Sequence, residues 1–193
     1  MDNFIRDKIE KEGVFVFNLL FWGLLFMFDV PVGNIDILPD VVGYVLMYVG
    51  LKQLTPFHRL FGSAKQLSII LIVLSIFTIY SNLERVVGYI PMILFHIVYM
   101  ALNMLFMYRI CYAIVELARE AELPRLAQAA GFRCSLYLAS MLFTPIIILL
   151  GLVQSALAGM IFLPAFLFSI IVLVLLMALM KQADQSLKLN PYV

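Results

Sequence analysis

The chain has 193 residues, 64% of them hydrophobic and only 13% charged, with a mean hydropathy of +1.05. Soluble domains carry roughly 25% charged residues, so a soluble globular protein is excluded, and the length leaves room for six apolar helices and no separate soluble domain. The net charge of +1 comes without a basic tract interleaved with aromatics, which removes nucleic acid as a partner.

Six apolar runs are long enough, or nearly so, to cross a bilayer: Gly13–Phe28, Ile37–Leu54, Leu67–Leu83, Pro91–Val115, Phe132–Gln154 and Gly159–Met180. The basic residues flank them unevenly. Arg6, Lys8 and Lys11 precede the first run, and Lys52, Arg59 and Lys65 fall around the second-to-third connection. Arg109, Arg119, Arg125 and Arg133 surround the fourth-to-fifth, and Lys181 and Lys188 follow the last. Arg85 is the exception, so twelve of the 13 lie on alternate connections of one side. The positive-inside rule places that side in the cytoplasm. The expected fold is therefore all-α: one polytopic transmembrane bundle over 1–193, about six helices, both termini cytoplasmic, with the lipid bilayer of the cell membrane as its surroundings.

Residues 2–12 read as a short interfacial helix with Phe4, Ile5 and Ile9 on one side. Asp2, Asp7, Glu10 and Glu12, and the lack of a small-x-small site, mark the first run as retained rather than cleaved. It ends in the turn signal Asp29-Val-Pro-Val-Gly. Asn34-Ile-Asp-Ile-Leu-Pro-Asp then reads as a helix start, with Asp36 capping, Pro39 in the first turn and Asp40 at the positive end of the helix dipole. From Ile37 that helix runs to Leu54, where Pro56 blocks it. Gly43 and Gly50, seven residues apart, give it a smooth face for close helix contact.

Val41-Val-Gly-Tyr-Val-Leu-Met and Val86-Val-Gly-Tyr-Ile-Pro-Met echo each other at a spacing of 45 residues. The echo is what a duplicated hairpin (13–54 and 67–115) leaves behind, or a coincidence in a chain rich in these residues. Residues 116–131 are the long polar stretch, read as an amphipathic helical loop on the cytoplasmic face. Cys111 and Cys134 flank it as free thiols, without a Cys-x-x-Cys pair. Pro145 and Pro164 lie inside the last two runs, and the uncharged segment 151–159 reads as a tight external turn or as partly re-entrant.

Two groups are candidate sites. Asp29, Asp36 and Asp40 form an external acidic edge that could hold a divalent cation, a basic peptide or a cationic substrate, or could serve as helix caps. Tyr44, one turn after Asp40, carries that polar edge into the membrane. The second group is the stripe Tyr89, His96, Tyr99 and Asn103 on the fourth helix. At membrane depth its polar groups mark a ligand or proton pathway, or hydrogen bonds that hold the bundle together. No cofactor is expected, and any metal is left open.

Asp36-Ile-Leu-Pro-Asp-Val-Val-Gly-Tyr-Val-Leu, with Gly50-Leu and the downstream Phe61-Gly-Ser-Ala-Lys, resembles a pattern in small uncharacterised integral membrane proteins of Gram-positive bacteria. The likeness covers about 30 of the 193 residues. It implies a bacterial plasma-membrane protein and no particular chemistry. A weaker likeness is to the substrate-binding subunits of energy-coupling-factor vitamin transporters, although their Ala-x-x-x-Ala motif is missing from the first run.

Metalloprotease, nucleophile-elbow, phosphate-loop and intramembrane Gly-x-Gly-Asp signatures are all missing. The leading expectation is a non-enzymatic membrane protein with a transport or accessory role, its partners other membrane subunits or a small molecule. The alternatives are a vitamin-type substrate-binding subunit and a membrane enzyme using the external aspartates with a divalent metal.

Overall fold

A computed structural model describes residues 16–27, 31–32, 35–36, 40–78, 88–153 and 155–187. The segment 2–12 expected as an interfacial helix, and Asp29, lie outside them. The described residues form six helices: α1 Val16–Phe26, α2 Asp40–Leu54, α3 Arg59–Thr78, α4 Tyr89–Glu120, α5 Pro124–Val153 and α6 Ser155–Leu187. A two-stranded ribbon, β1 Pro31–Val32 and β2 Ile35–Asp36, lies between α1 and α2. Three segments are long and apolar enough to cross a membrane: Arg59–Phe77, Ile90–Glu120 and Gly159–Leu187.

The helices form a ring. Each packs on its neighbours in chain order, α6 packs back onto α1, and α4 meets α6 lightly across the middle. One end of the ring is filled. Leu51 and Leu54 of α2, Phe61 and Ala64 of α3, Ile110 and Ile114 of α4, and Leu179 and Met180 of α6 are fully buried there. The outward face is as apolar as the core. Ile69, Ile70 and Val73 on α3, Leu94, Ile97 and Val98 on α4, and Leu163, Leu167 and Ile171 on α6 are all exposed. An apolar belt of that extent is not tolerated in water; in lipid it is the ordinary outer surface of a bundle.

Serines inside the bundle are satisfied within their own helices. Ser68 donates to the Lys65 carbonyl at 2.7 Å, Ser75 to Ile72 at 2.9 Å and Ser140 to Tyr137 at 2.7 Å. At the seam between α1 and α2 the backbones nearly touch. A Cβ built on Gly43 would stand 2.8 Å from the Gly23 carbonyl oxygen, and one on Gly23 would stand 2.9 Å from that of Gly43. Of the two glycines expected to give α2 a smooth face, Gly43 meets α1 in this way. The other glycine of the Val-Val-Gly-Tyr echo serves a different purpose. Gly88 precedes α4 at φ 91°, a conformation that suits glycine.

Three expectations are corrected. Asp36 does not stand at the start of α2: it lies in β2, paired with Pro31 of β1. The intervening Gly33-Asn34 is a dipeptide favoured in two-residue hairpins, and α2 is described from Asp40, the residue after Pro39. Residues 116–131 are not a separate loop helix. Their apolar and helix-favouring residues extend α4 to Glu120 and begin α5 at Pro124, a residue suited to a first helical position. A three-residue turn joins them, closed by bonds from Glu122 N–H to the Arg119 carbonyl (3.1 Å) and from Leu123 N–H to the Ala118 carbonyl (2.7 Å). That is a Schellman cap, with Glu122 at φ 56° where glycine is usual. Lastly, α3 starts at Arg59, two turns before Leu67: no proline lies between them, and the single Gly62 is tolerated within the helix. Pro145 and Pro164 do lie within helices, and α5 passes to α6 across one residue, Gln154, which is outside the described set.

Candidate functional site

Asp40 begins α2, and Tyr44 follows one turn later on the same face. Tyr99 and Asn103 share the same spacing on α4. The two pairs meet in register, although α2 and α4 are not neighbours round the ring. The Tyr99 hydroxyl donates to Asp40 Oδ2 at 2.6 Å. The Tyr44 hydroxyl donates to Asn103 Oδ1, and the two phenol oxygens lie 3.1 Å apart. Asp40 to Tyr99 and Tyr44 to Asn103 both span 59 positions. A constant offset is what two helices running in the same direction impose.

The network is held from behind. Asn103 Nδ2 donates to the Tyr99 carbonyl at 3.0 Å, which fixes the amide so that Oδ1 faces Tyr44. Tyr44 packs edge-on against Tyr99 and Phe106, with ring centroids 6.5 and 5.9 Å apart. Phe95 stacks on Tyr99 at 6.1 Å. Tyr44 is 1% exposed and Asn103 7%, so these groups have no bulk water to fall back on and must satisfy one another.

They form one wall of a cavity of about 570 Å³ in the less filled half of the ring, away from the end that carries Lys52, Arg59 and Arg125. That volume lies within the usual range for small-molecule sites, ~300–1,000 Å³. The rest of the lining is mostly apolar, with Leu24 of α1 and Met27 just after it, Met141 and Pro145 from α5, and Val172 and Leu176 from α6. Met27, Met92, Met100, Met107 and Met141 all reach it, giving an adaptable surface that fits more than one ligand shape. His96 also lines it, donating through Nδ1 to the Met92 carbonyl at 2.9 Å, an assignment that leaves Nε2 directed elsewhere.

The structure thus brings together two groups that the sequence presented as separate. Asp40 and Tyr44 of the acidic edge share one cavity with His96, Tyr99 and Asn103 of the α4 stripe. Tyr89 is the first residue of α4, and Asp36 is in β2; their side chains, like all of Asp29, are outside the described set. Among the described residues, no group of three or more His, Cys, Asp or Glu is placed to hold a metal. Cys111 and Cys134 are free, buried and in contact on adjoining helices. Sequence reasoning missed Tyr137, Ser140 and Ser169 on the far walls. The one available signal was the polar pair Tyr137 and Ser140, one turn apart in an apolar helix. Comparison with protein families, curated proteins and solved structures gave no match.

Proposed function

We propose that this protein is a six-span bacterial plasma-membrane protein, both termini cytoplasmic, that binds a small and largely apolar ligand between its helices in a transport-related role. The observation that carries this reading is the cavity of about 570 Å³ with one hydrogen-bonded polar wall, Asp40–Tyr99–Tyr44–Asn103, in otherwise apolar surroundings. A few convergent polar groups in an apolar pocket are the usual make-up of a ligand site. Groups needed only as interhelical glue do not require a chamber beside them. With the basic residues on the cytoplasmic side, as proposed, the cavity lies in the external half of the membrane. Between the leading expectation and its alternatives, this geometry favours the substrate-binding role over that of an accessory protein with only an acidic outer edge.

The test is small-molecule mass spectrometry on protein purified in lipid nanodiscs, comparing the native chain with Ser169→Phe. Ser169 lines the cavity on α6 and is half-buried, so phenylalanine there fills space with little demand on the core. A compound that co-purifies with the native protein and is lost from Ser169→Phe supports the reading. Identical profiles from two equally folded proteins defeat it.

A further inference from the structure

Along the polar wall the oxygen–oxygen contacts outnumber the hydroxyl donors by one when Asp40 is ionised. Three oxygen–oxygen contacts run in series: Asp40 to Tyr99, Tyr99 to Tyr44, and Tyr44 to Asn103. Each contact needs one proton, and the two phenols own two. Asn103 Oδ1 has none to give, because its amide is fixed by the bond from Nδ2 to the Tyr99 carbonyl. With Asp40 ionised, Tyr99 donates to Asp40 and Tyr44 donates to Asn103, so the two phenol oxygens face each other at 3.1 Å with no proton between them. With Asp40 protonated, the carboxyl donates to Tyr99, Tyr99 to Tyr44 and Tyr44 to Asn103, and every contact is made. Asp40 has other interactions as well; the proton count along these three contacts is independent of them.

We propose that this four-residue wall stores one proton and exchanges it for the cationic end of an amphiphilic ammonium ligand in the cavity. The proposal rests on the ligand-binding reading above and names its ligand class. Two observations favour a cation. Asp40 is the carboxylate of the lining, and its charge attracts an ammonium group whether or not that group carries N–H donors. Tyr44, Tyr99 and Tyr137 line the same space, and tyrosine rings beside a carboxylate are the surroundings in which alkylated ammonium groups are held. The methionines accommodate the apolar remainder.

The exchange balances in charge. A cation entering beside ionised Asp40 brings the same charge as the proton it replaces, whatever else touches the carboxylate. Each therefore disfavours the other, and by linkage the factor is the same in both directions. Taking up the proton also turns the Tyr99 hydroxyl from Asp40 toward Tyr44, so the occupancy of the site is written in the direction of one O–H bond.

Among the described residues, the titratable groups that share the cavity with Asp40 are Tyr44 on its own helix, His96 and Tyr99 on α4, and Tyr137 on α5. The lining residues of α1 and α6 include none, and α3 adds none from its half nearest the cavity. His96 carries the one imidazole among them.

The experiment is calorimetric binding of benzyltrimethylammonium, whose charge is the same at every pH, to the full chain in nanodiscs from about pH 4 to pH 9, a range that spans carboxylate and imidazole titration. Competition with one proton predicts affinity falling about tenfold per pH unit on the acid side, with one proton released per cation bound. Asp40→Asn should weaken binding at least about tenfold and flatten the pH dependence, while His96→Gln should keep it. Infrared difference spectra should show a protonated carboxyl band on acidification that is absent in Asp40→Asn and shifted in Tyr99→Phe, which removes the group receiving that proton. Binding that ignores pH, a dependence retained in Asp40→Asn, or one abolished in His96→Gln overturns the proposal. So does failure of the cation to bind at any pH; the Ser169→Phe comparison then decides separately whether the cavity binds something else.

Discussion

Gly23 of α1 and Gly43 of α2 meet backbone to backbone, and each excludes a side chain on the other. A Cβ at either position would stand within 3 Å of the opposite carbonyl oxygen, and one on Gly23 would also lie 2.6 Å from Met47 Cγ. Met47 is a flexible side chain and can move aside, whereas the carbonyls belong to helical backbone and cannot. Gly23→Ala and Gly43→Ala should each cost about 1–3 kcal/mol through overpacking. The double variant should cost less than the two combined, because either methyl alone already forces the helices apart. Thermal unfolding in detergent, read by circular dichroism, tests this; Ala variants as stable as the native chain would contradict the close crossing.

Tyr44 and Asn103 should show strong energetic coupling. Tyr44→Phe leaves the Asn103 carbonyl buried with no donor, a loss of about 1–3 kcal/mol. Asn103→Leu removes the acceptor as well as the bond that fixes the amide. With both replaced, neither partner is left orphaned, so the double variant should be more stable than additivity predicts by roughly 0.6–2 kcal/mol, the scale measured between membrane helices. A double-mutant cycle with no coupling would show that the hydrogen bond is not formed.

Glu122 offers a stabilising substitution. Its φ of 56° places a Cβ in the left-handed region, which costs roughly 1–2 kcal/mol relative to glycine. Part of that relief is offset by the freer unfolded chain of a glycine variant. Glu122→Gly should therefore leave stability unchanged or raise it by up to about 1 kcal/mol, and Glu122→Val should lower it, since β-branching fits that region worst. If Glu122→Val unfolds at the native temperature, the Schellman turn between α4 and α5 is wrong.

The proposed orientation is tested with reporter fusions. Fusions at Asn34, Gly88 and Ala156 should report the outside, and those at Pro56, Pro124 and the C-terminus the cytoplasm. One reproducibly inverted connection would break the six-span assignment and move the cavity to the other half of the membrane.

Helix existence was legible in the sequence because apolar runs bounded by Pro56, Pro124 and the acidic turn residues leave little else for the chain to form. Helix extent was less legible. Residues 116–131 are polar but carry leucine, alanine and arginine, all strong helix formers, and a segment's polarity reports its solvent rather than its conformation. Asp36 reads as a cap from its place ahead of Pro39 and Asp40, while the Gly33-Asn34 pair before it signals a hairpin. The site was half legible. The intervals 40/44 and 99/103 each announce a polar face, but nothing in one helix says which other helix it meets. That pairing depends on ring order and on a parallel register, and both are tertiary properties. The offset of 45 in the Val-Val-Gly-Tyr echo would have aligned Tyr44 with Tyr89, whereas the contacts follow an offset of 59.

The seam between α1 and α6 has a consequence for biogenesis. These are the first and last described helices, and they are the two whose contact closes the ring. Helices emerge in order of synthesis, so until α6 is made the chain is an open arc with Phe17, Leu20 and Leu24 of α1 lacking that helix beside them. The cavity loses one of its walls until Val172 and Leu176 arrive. A ribosome-stalled chain ending before α6 should be helical yet unable to enclose the cavity, so the proposed binding would appear all at once, when α6 is in place.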